Sequence, residues 1–79
     1  MKKFNLDSAY YVDGDKVYVR LFPQDLLIQD YLAVNFEFDV TENITLGIEN
    51  LINEMKPTLF ERFQQMENIP TSLREQFEL

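Results

Sequence analysis

The chain has 79 residues, seven Lys and Arg against fourteen Asp and Glu, and neither Cys nor His. Those figures exclude a disulfide framework, a thiolate or imidazole metal site, and cysteine or histidine catalysis. A net charge of −7 repels phosphate, which argues against direct binding to nucleic acid or anionic membrane, while 46% hydrophobic residues are too many for a disordered acidic tail.

One domain is expected, with a marginal core, since a chain this short buries only about 60% of its unfolded surface. The opening Met1-Lys2-Lys3 resembles a signal n-region only briefly, because Asp7 and Ser8 interrupt any apolar stretch. No run approaches a membrane span of about 20 apolar residues. The expected location is cytoplasmic, in a bacterial cell or an infected host cell.

Ala9 to Leu21 reads as a β-hairpin turning at Asp13-Gly14-Asp15. The two-residue period puts Tyr10, Val12, Val17, Val19 and Leu21 on a core face. Ala9, Tyr11, Lys16, Tyr18 and Arg20 fall on a solvated face. Phe22-Pro23 should break the strand, because Pro cannot donate to a ladder. Gln24 to Gln29 reads equally well as a helical turn that buries Leu26 and Leu27, or as the start of a strand.

Tyr31 to Val40 alternates cleanly. Leu32, Val34, Phe36, Phe38 and Val40 face a core, and the polar set beside them could lie against Lys16, Tyr18 and Arg20. Thr41 then caps a helix from Glu42 to Met55, with Ile44, Ile48, Leu51, Ile52 and Met55 as its apolar arc. Leu46 projects to the polar side. Gly47 would permit close approach to the sheet. Pro57 should end or kink this helix and start a second one reaching Glu67. Ser72 and Glu75 have capping-box spacing, which predicts a short third helix carrying Leu73 and Phe77.

The expected fold is therefore α+β: an antiparallel sheet of three or four strands with two or three C-terminal helices packed on one face. Val34, Phe36, Phe38, Ile48, Leu51, Ile52, Phe60 and Phe63 should share the core.

No catalytic motif is present. Ser8 and Ser72 sit outside any nucleophile elbow, and two glycines cannot build a phosphate loop. A non-enzymatic protein without cofactor or metal is expected. Asp13-Gly14-Asp15 lacks the further oxygens and terminal Glu of a calcium loop. Lys2, Lys3, Lys16 and Arg20 beside Tyr11 and Tyr18 use the vocabulary of single-strand binding, against which the net charge weighs.

Charge polarity is the remaining signal. Between Arg20 and Lys56 there is no cation but seven carboxylates: Asp25, Asp30, Glu37, Asp39, Glu42, Glu49 and Glu54. Glu37, Asp39, Glu42, Leu46, Glu49 and Glu54 are the candidate partner-binding residues. They would present a negative surface to a larger protein with a basic site. Strand residues two apart lie about 7 Å apart, and duplex DNA carries one charge per about 3.4 Å on each strand. The expectation is an inhibitor or adaptor of a nucleic-acid-handling protein, behaving as phage-type anti-defence inhibitors and DNA mimics do. The alternative is a small structural or regulatory subunit, a homodimer or hetero-oligomer formed through its C-terminal helices, with the charge only solubilising it.

Overall fold

A two-residue turn at Gly14-Asp15 joins β2 (Leu6–Asp13) to β3 (Lys16–Pro23), after a short N-terminal strand β1 (Lys2–Lys3). Gly14 alone among the described residues has a positive φ, of 63°. That places Gly at the first central position of a type II′ turn, whose twist matches the flanking strands. These are features of the computed structural model, which describes residues 1–40 and 43–79.

The hairpin is longer than the expected Ala9–Leu21. Leu6 pairs with Pro23, so Pro23 ends β3 instead of breaking it. The next strand, β4 (Val34–Asp39), pairs with β3 only as far as Leu21, so no ladder bond is demanded of the Pro23 nitrogen on that side. The sheet is antiparallel in the order β2-β3-β4. Tyr31 to Ala33 lie before β4, although Leu32 is buried.

Residues 24–31 form neither a helix nor a strand. Asp25 Oδ1 accepts from the Leu27 N–H at 2.9 Å, its carbonyl accepts from Ile28, and the Ile28 carbonyl accepts from Tyr31. The result is a run of turns started by an Asx turn. It buries Ile28, whereas Leu26 and Leu27 stand 82% and 56% exposed, contrary to the burial that the helical-turn alternative implied.

A single helix, α1 (Ile44–Gln64), replaces the two expected around Pro57. The Asn43 side chain caps it, accepting from the Leu46 N–H at 3.0 Å. The expected cap Thr41 and first residue Glu42 lie outside the described residues. Pro57 is tolerated because Pro57 and Asn53, whose carbonyl it leaves without a helical donor, are both exposed, where water can serve that carbonyl. The apolar stripe also runs through without a phase change: Ile48, Ile52, Met55, Leu59 and Phe63 follow at steps of three and four. Packing of that stripe outweighs the local cost.

The expected third helix is only one turn, α2 (Thr71–Arg74), and Ser72 lies inside it. The Pro70 carbonyl, not a side chain, receives the Leu73 and Arg74 amides. Phe77 leaves the turn and enters β5 (Phe77–Glu78), which pairs parallel with β1 and ties the two ends of the described chain together.

The core follows the central strand. Val17, Val19 and Leu21 of β3 are buried with Phe4, Leu6, Ile28, Leu32, Ile48, Leu59, Phe63, Ile69 and Phe77. Of the expected core set, Ile48 and Phe63 are fully inside, while Val34, Phe36, Phe38, Leu51, Ile52 and Phe60 pack around them half-buried. Tyr10 and Val12 lie on the expected face yet remain 52% and 48% exposed. A helix about 10 Å across covers roughly two strands spaced about 4.8 Å apart, so a three-stranded sheet keeps an open margin. At one end of α1, Gly47 approaches Phe38 so closely that an added Cβ would lie 3.2 Å from its ring. At the other end, Phe63 stacks on Phe4 at 5.3 Å and meets Phe77 edge-on at 5.6 Å.

Candidate functional site

The strand register builds the open face of the sheet row by row. Asp13, Lys16 and Asp39 form the row beside the turn. Tyr11, Tyr18 and Glu37 form the next, and Ala9, Arg20 and Asn35 the third. Alternation turns all of these side chains away from α1, which sits on the Phe38 side. Lys16 and Tyr18 thus lie beside the acidic strand, as the polar alternation of residues 31–40 suggested.

Within this face the two tyrosine rings stack, with centroids 5.1 Å apart and planes 19° from parallel. Such a pair contributes about 0.5–1.5 kcal/mol beyond burial and makes a firm platform. Lys16 Nζ donates to Asp39 Oδ1 at 2.6 Å. That hydrogen bond, followed by the Asp39 charge, raises Lys16 above its ordinary value; slight desolvation opposes it, and Asp15 and Glu37 add to it. Arg20 has no carboxylate within ion-pairing distance among the described residues. It lines a shallow depression of about 490 Å³ with Tyr11, Tyr18 and Asn35. A second depression, of about 320 Å³, shares Arg20 with it and is otherwise lined by residues that include Phe22 and Asp30. Asp7, Asp13, Glu37 and Asp39 outnumber Lys16 and Arg20 on this face, so it is negative at its margins and aromatic at its centre.

The candidate residues do not form one surface. Glu37 and Asp39 stand on the sheet face. Leu46, Glu49 and Glu54 are exposed on α1, which covers the opposite side of the same sheet. The fold therefore brings the first two together and separates them from the other three by its own thickness. Glu42 lies outside the described residues. Leu46 is 50% exposed, as its helical position required. The stacked tyrosines were missing from the candidate set, although their alternation with Lys16 and Arg20 placed them on the solvated face.

The basic group Lys2, Lys3, Lys16 and Arg20 does not gather either. Lys2 pairs with Asp25 at 3.4 Å and Lys3 with Glu78 at 3.2 Å, both in the small β1–β5 sheet region. Of the four, Lys16 and Arg20 share the sheet face with the tyrosines. Asp13-Gly14-Asp15 is a hairpin turn, and among the described residues no three acidic side chains converge as metal ligands. Among those residues, no helix is long and apolar enough to cross a membrane.

No protein-family model, curated protein or solved structure matches the chain.

Proposed function

We propose that this chain is a non-enzymatic interaction protein, an inhibitor or adaptor that occupies a basic site on a larger, nucleic-acid-handling protein. The open sheet face is its contact surface. The observation that carries this reading is a stacked aromatic platform bounded by carboxylates on both edge strands, on a face that no helix or strand among the described residues covers. Aromatic anchors inside a charged rim suit protein recognition, and the negative field steers a basic partner toward them. Glu37, beside the tyrosines, has no cation within ion-pairing distance among the described residues. Asp39 is already held by Lys16, so a partner cation must compete for it.

The sharper form of the reading is DNA mimicry, in which Glu37 and Asp39 stand where phosphates would. It is an analogy to the behaviour of phage-type anti-defence inhibitors and carries a separate consequence: nucleic acid displaces the partner. The discriminating experiment uses two charge-reversed proteins. Glu37→Lys with Asp39→Lys alters the sheet face. Glu49→Lys with Glu54→Lys alters the helix face. The reading expects the first pair to lose at least about ten-fold in affinity, about 1.4 kcal/mol, and the second to lose much less.

A second reading, a small structural or regulatory subunit of a homodimer or hetero-oligomer, is favoured by the exposed Leu26, Leu27 and Leu46. It does not draw on the last turn of the chain, since Phe77 is buried in its own core. Sedimentation at tens of micromolar separates the readings: a mass above the 9.4 kDa chain, with no salt-sensitive partner, supports the subunit.

A further inference from the structure

The two edges of the main sheet are defended differently. In a two-residue hairpin the closing pair, Asp13 and Lys16, exchanges both backbone hydrogen bonds, so odd residues of β2 face β3 and even residues face outward. The Gln24 N–H donates to the Asn5 carbonyl at 2.9 Å, in phase with this alternation. On the other side, the Val40 N–H donates to the Asp15 carbonyl at 2.8 Å, so Asn35, Glu37 and Asp39 carry the outward backbone groups of β4. That edge is blunted by two carboxylates. The β2 edge is not. Beyond the buried Leu6, its outward residues are Ser8, Tyr10 and Val12, within the uncharged run Ser8-Ala9-Tyr10-Tyr11-Val12. The Ser8 N–H is taken by Asp7 Oδ1 at 2.8 Å. The Tyr10 and Val12 amides have no protein acceptor among the described residues. Tyr10, Tyr11 and Val12 are 52%, 62% and 48% exposed, so both faces of this edge are apolar and accessible.

We propose that β2 takes up an extended segment of the basic partner as a fourth strand, a segment with cationic side chains six residues apart and alternating β-branched residues between them. Charge complementarity selects this occupant. Asp7 and Asp13 close the uncharged run at its two ends, and both project onto the negative sheet face. Cations opposite them complete the pairing in either strand direction, while the middle of the segment packs on Tyr10, Tyr11 and Val12. A second copy of this chain fits less well. Self-pairing centred on Tyr10 sets Asp7 against Asp13 at both ends and joins two chains of net charge −7. The proposal rests on the reading that the chain binds basic protein, and it names the shape of what is bound.

The test uses the peptide Lys-Val-Thr-Val-Thr-Val-Lys and its counterpart with Glu at both ends, followed by NMR and amide hydrogen exchange. The lysine peptide should bind saturably and slow exchange at the Tyr10 and Val12 amides at least ten-fold; the glutamate peptide should do neither. Val12→Pro removes one outward N–H that the hairpin does not use, so the fold is expected to persist and peptide affinity to drop at least ten-fold. Unaltered exchange at both amides in the wild-type protein overturns the proposal without any variant. So does an equal response to both peptides, unchanged affinity in Val12→Pro, or protection that grows with protein concentration alone. Glu37→Lys with Asp39→Lys should still bind the peptide, which separates failure of the strand-addition proposal from failure of the wider reading.

Discussion

Lys16 shows how much one exposed side chain reports about the sheet face. Its hydrogen bond to Asp39 closes the first row and lifts its titration above the ordinary lysine value of 10.5. A raised lysine stabilises the folded state throughout the range below the ordinary value, and that contribution is lost as pH climbs through the raised one. Neutral and acidic pH leave the lysine side of this pair unchanged. In Asp39→Asn, the NMR titration midpoint of Lys16 should therefore fall toward the ordinary value. A midpoint that stays put would mean that the ion pair does not persist in solution. The pairing was legible in sequence, because two alternating patterns placed opposite charges on one solvated face. The stack of Tyr11 on Tyr18 was less so: each ring is typical of an exposed strand position, and only the register sets them opposite one another.

At the scale of elements, the long helix is where local rules and packing disagree. Pro57 marks a boundary by propensity, yet Leu59 and Phe63 continue the stripe of Ile48, Ile52 and Met55, and both are fully buried. The stripe's unbroken phase was readable; its weight against the proline was not, because that depends on how much apolar surface the sheet offers. Pro57→Ala restores an amide donor for the Asn53 carbonyl and should stabilise the protein by about 1–2 kcal/mol in urea denaturation. A loss of stability would indicate a helix interrupted at that residue. The helix C-terminus is closed from a distance. Arg74 Nη1 donates to the Gln64 carbonyl at 2.7 Å, Nη2 donates to Thr71 Oγ1 at 2.9 Å, and Gln64 Nε2 returns a bond to the Arg74 carbonyl at 3.2 Å. A cation there also complements the helix dipole. Arg74→Ala should cost about 1–3 kcal/mol, since charged hydrogen bonds to a part-buried carbonyl are lost. No short-range pattern discloses this clamp, and none discloses the β1–β5 pair, whose strands have two residues each and meet across the length of the chain.

The whole molecule is a rod. Its radius of gyration is 13.6 Å and its long axis 43 Å, against about 12 Å expected for a compact chain of this length. The 21-residue helix accounts for the difference, being about 30 Å long. Core side chains are consequently spread in a line, densest where Phe4, Phe60, Phe63 and Phe77 meet near the chain ends. Phe63→Ala should cost about 3–5 kcal/mol, while Phe36→Ala, at a half-buried position on an edge strand, should cost about 1–3. Urea denaturation that ranks Phe36 as the costlier deletion would place the core nearer the sheet's free edge. The same geometry divides the acidic residues. Periodicity put Glu37, Asp39 and Glu49 on polar faces, and all three are exposed, but it could not tell that the sheet face and the helix face look in opposite directions.

That division lets mutation separate the two acidic faces. Capture from bacterial lysate, quantified by mass spectrometry, should compare the wild-type chain with the two charge-reversed proteins at about 50 and about 500 mM salt, with and without duplex DNA. A nucleic-acid-handling protein should be retained at low salt and released by high salt or DNA. It should be lost when Glu37 and Asp39 are reversed and kept when Glu49 and Glu54 are. Retention of the same partner through the sheet-face reversal and through high salt would contradict the proposed function, and would leave the carboxylates of this face a solubilising role alone.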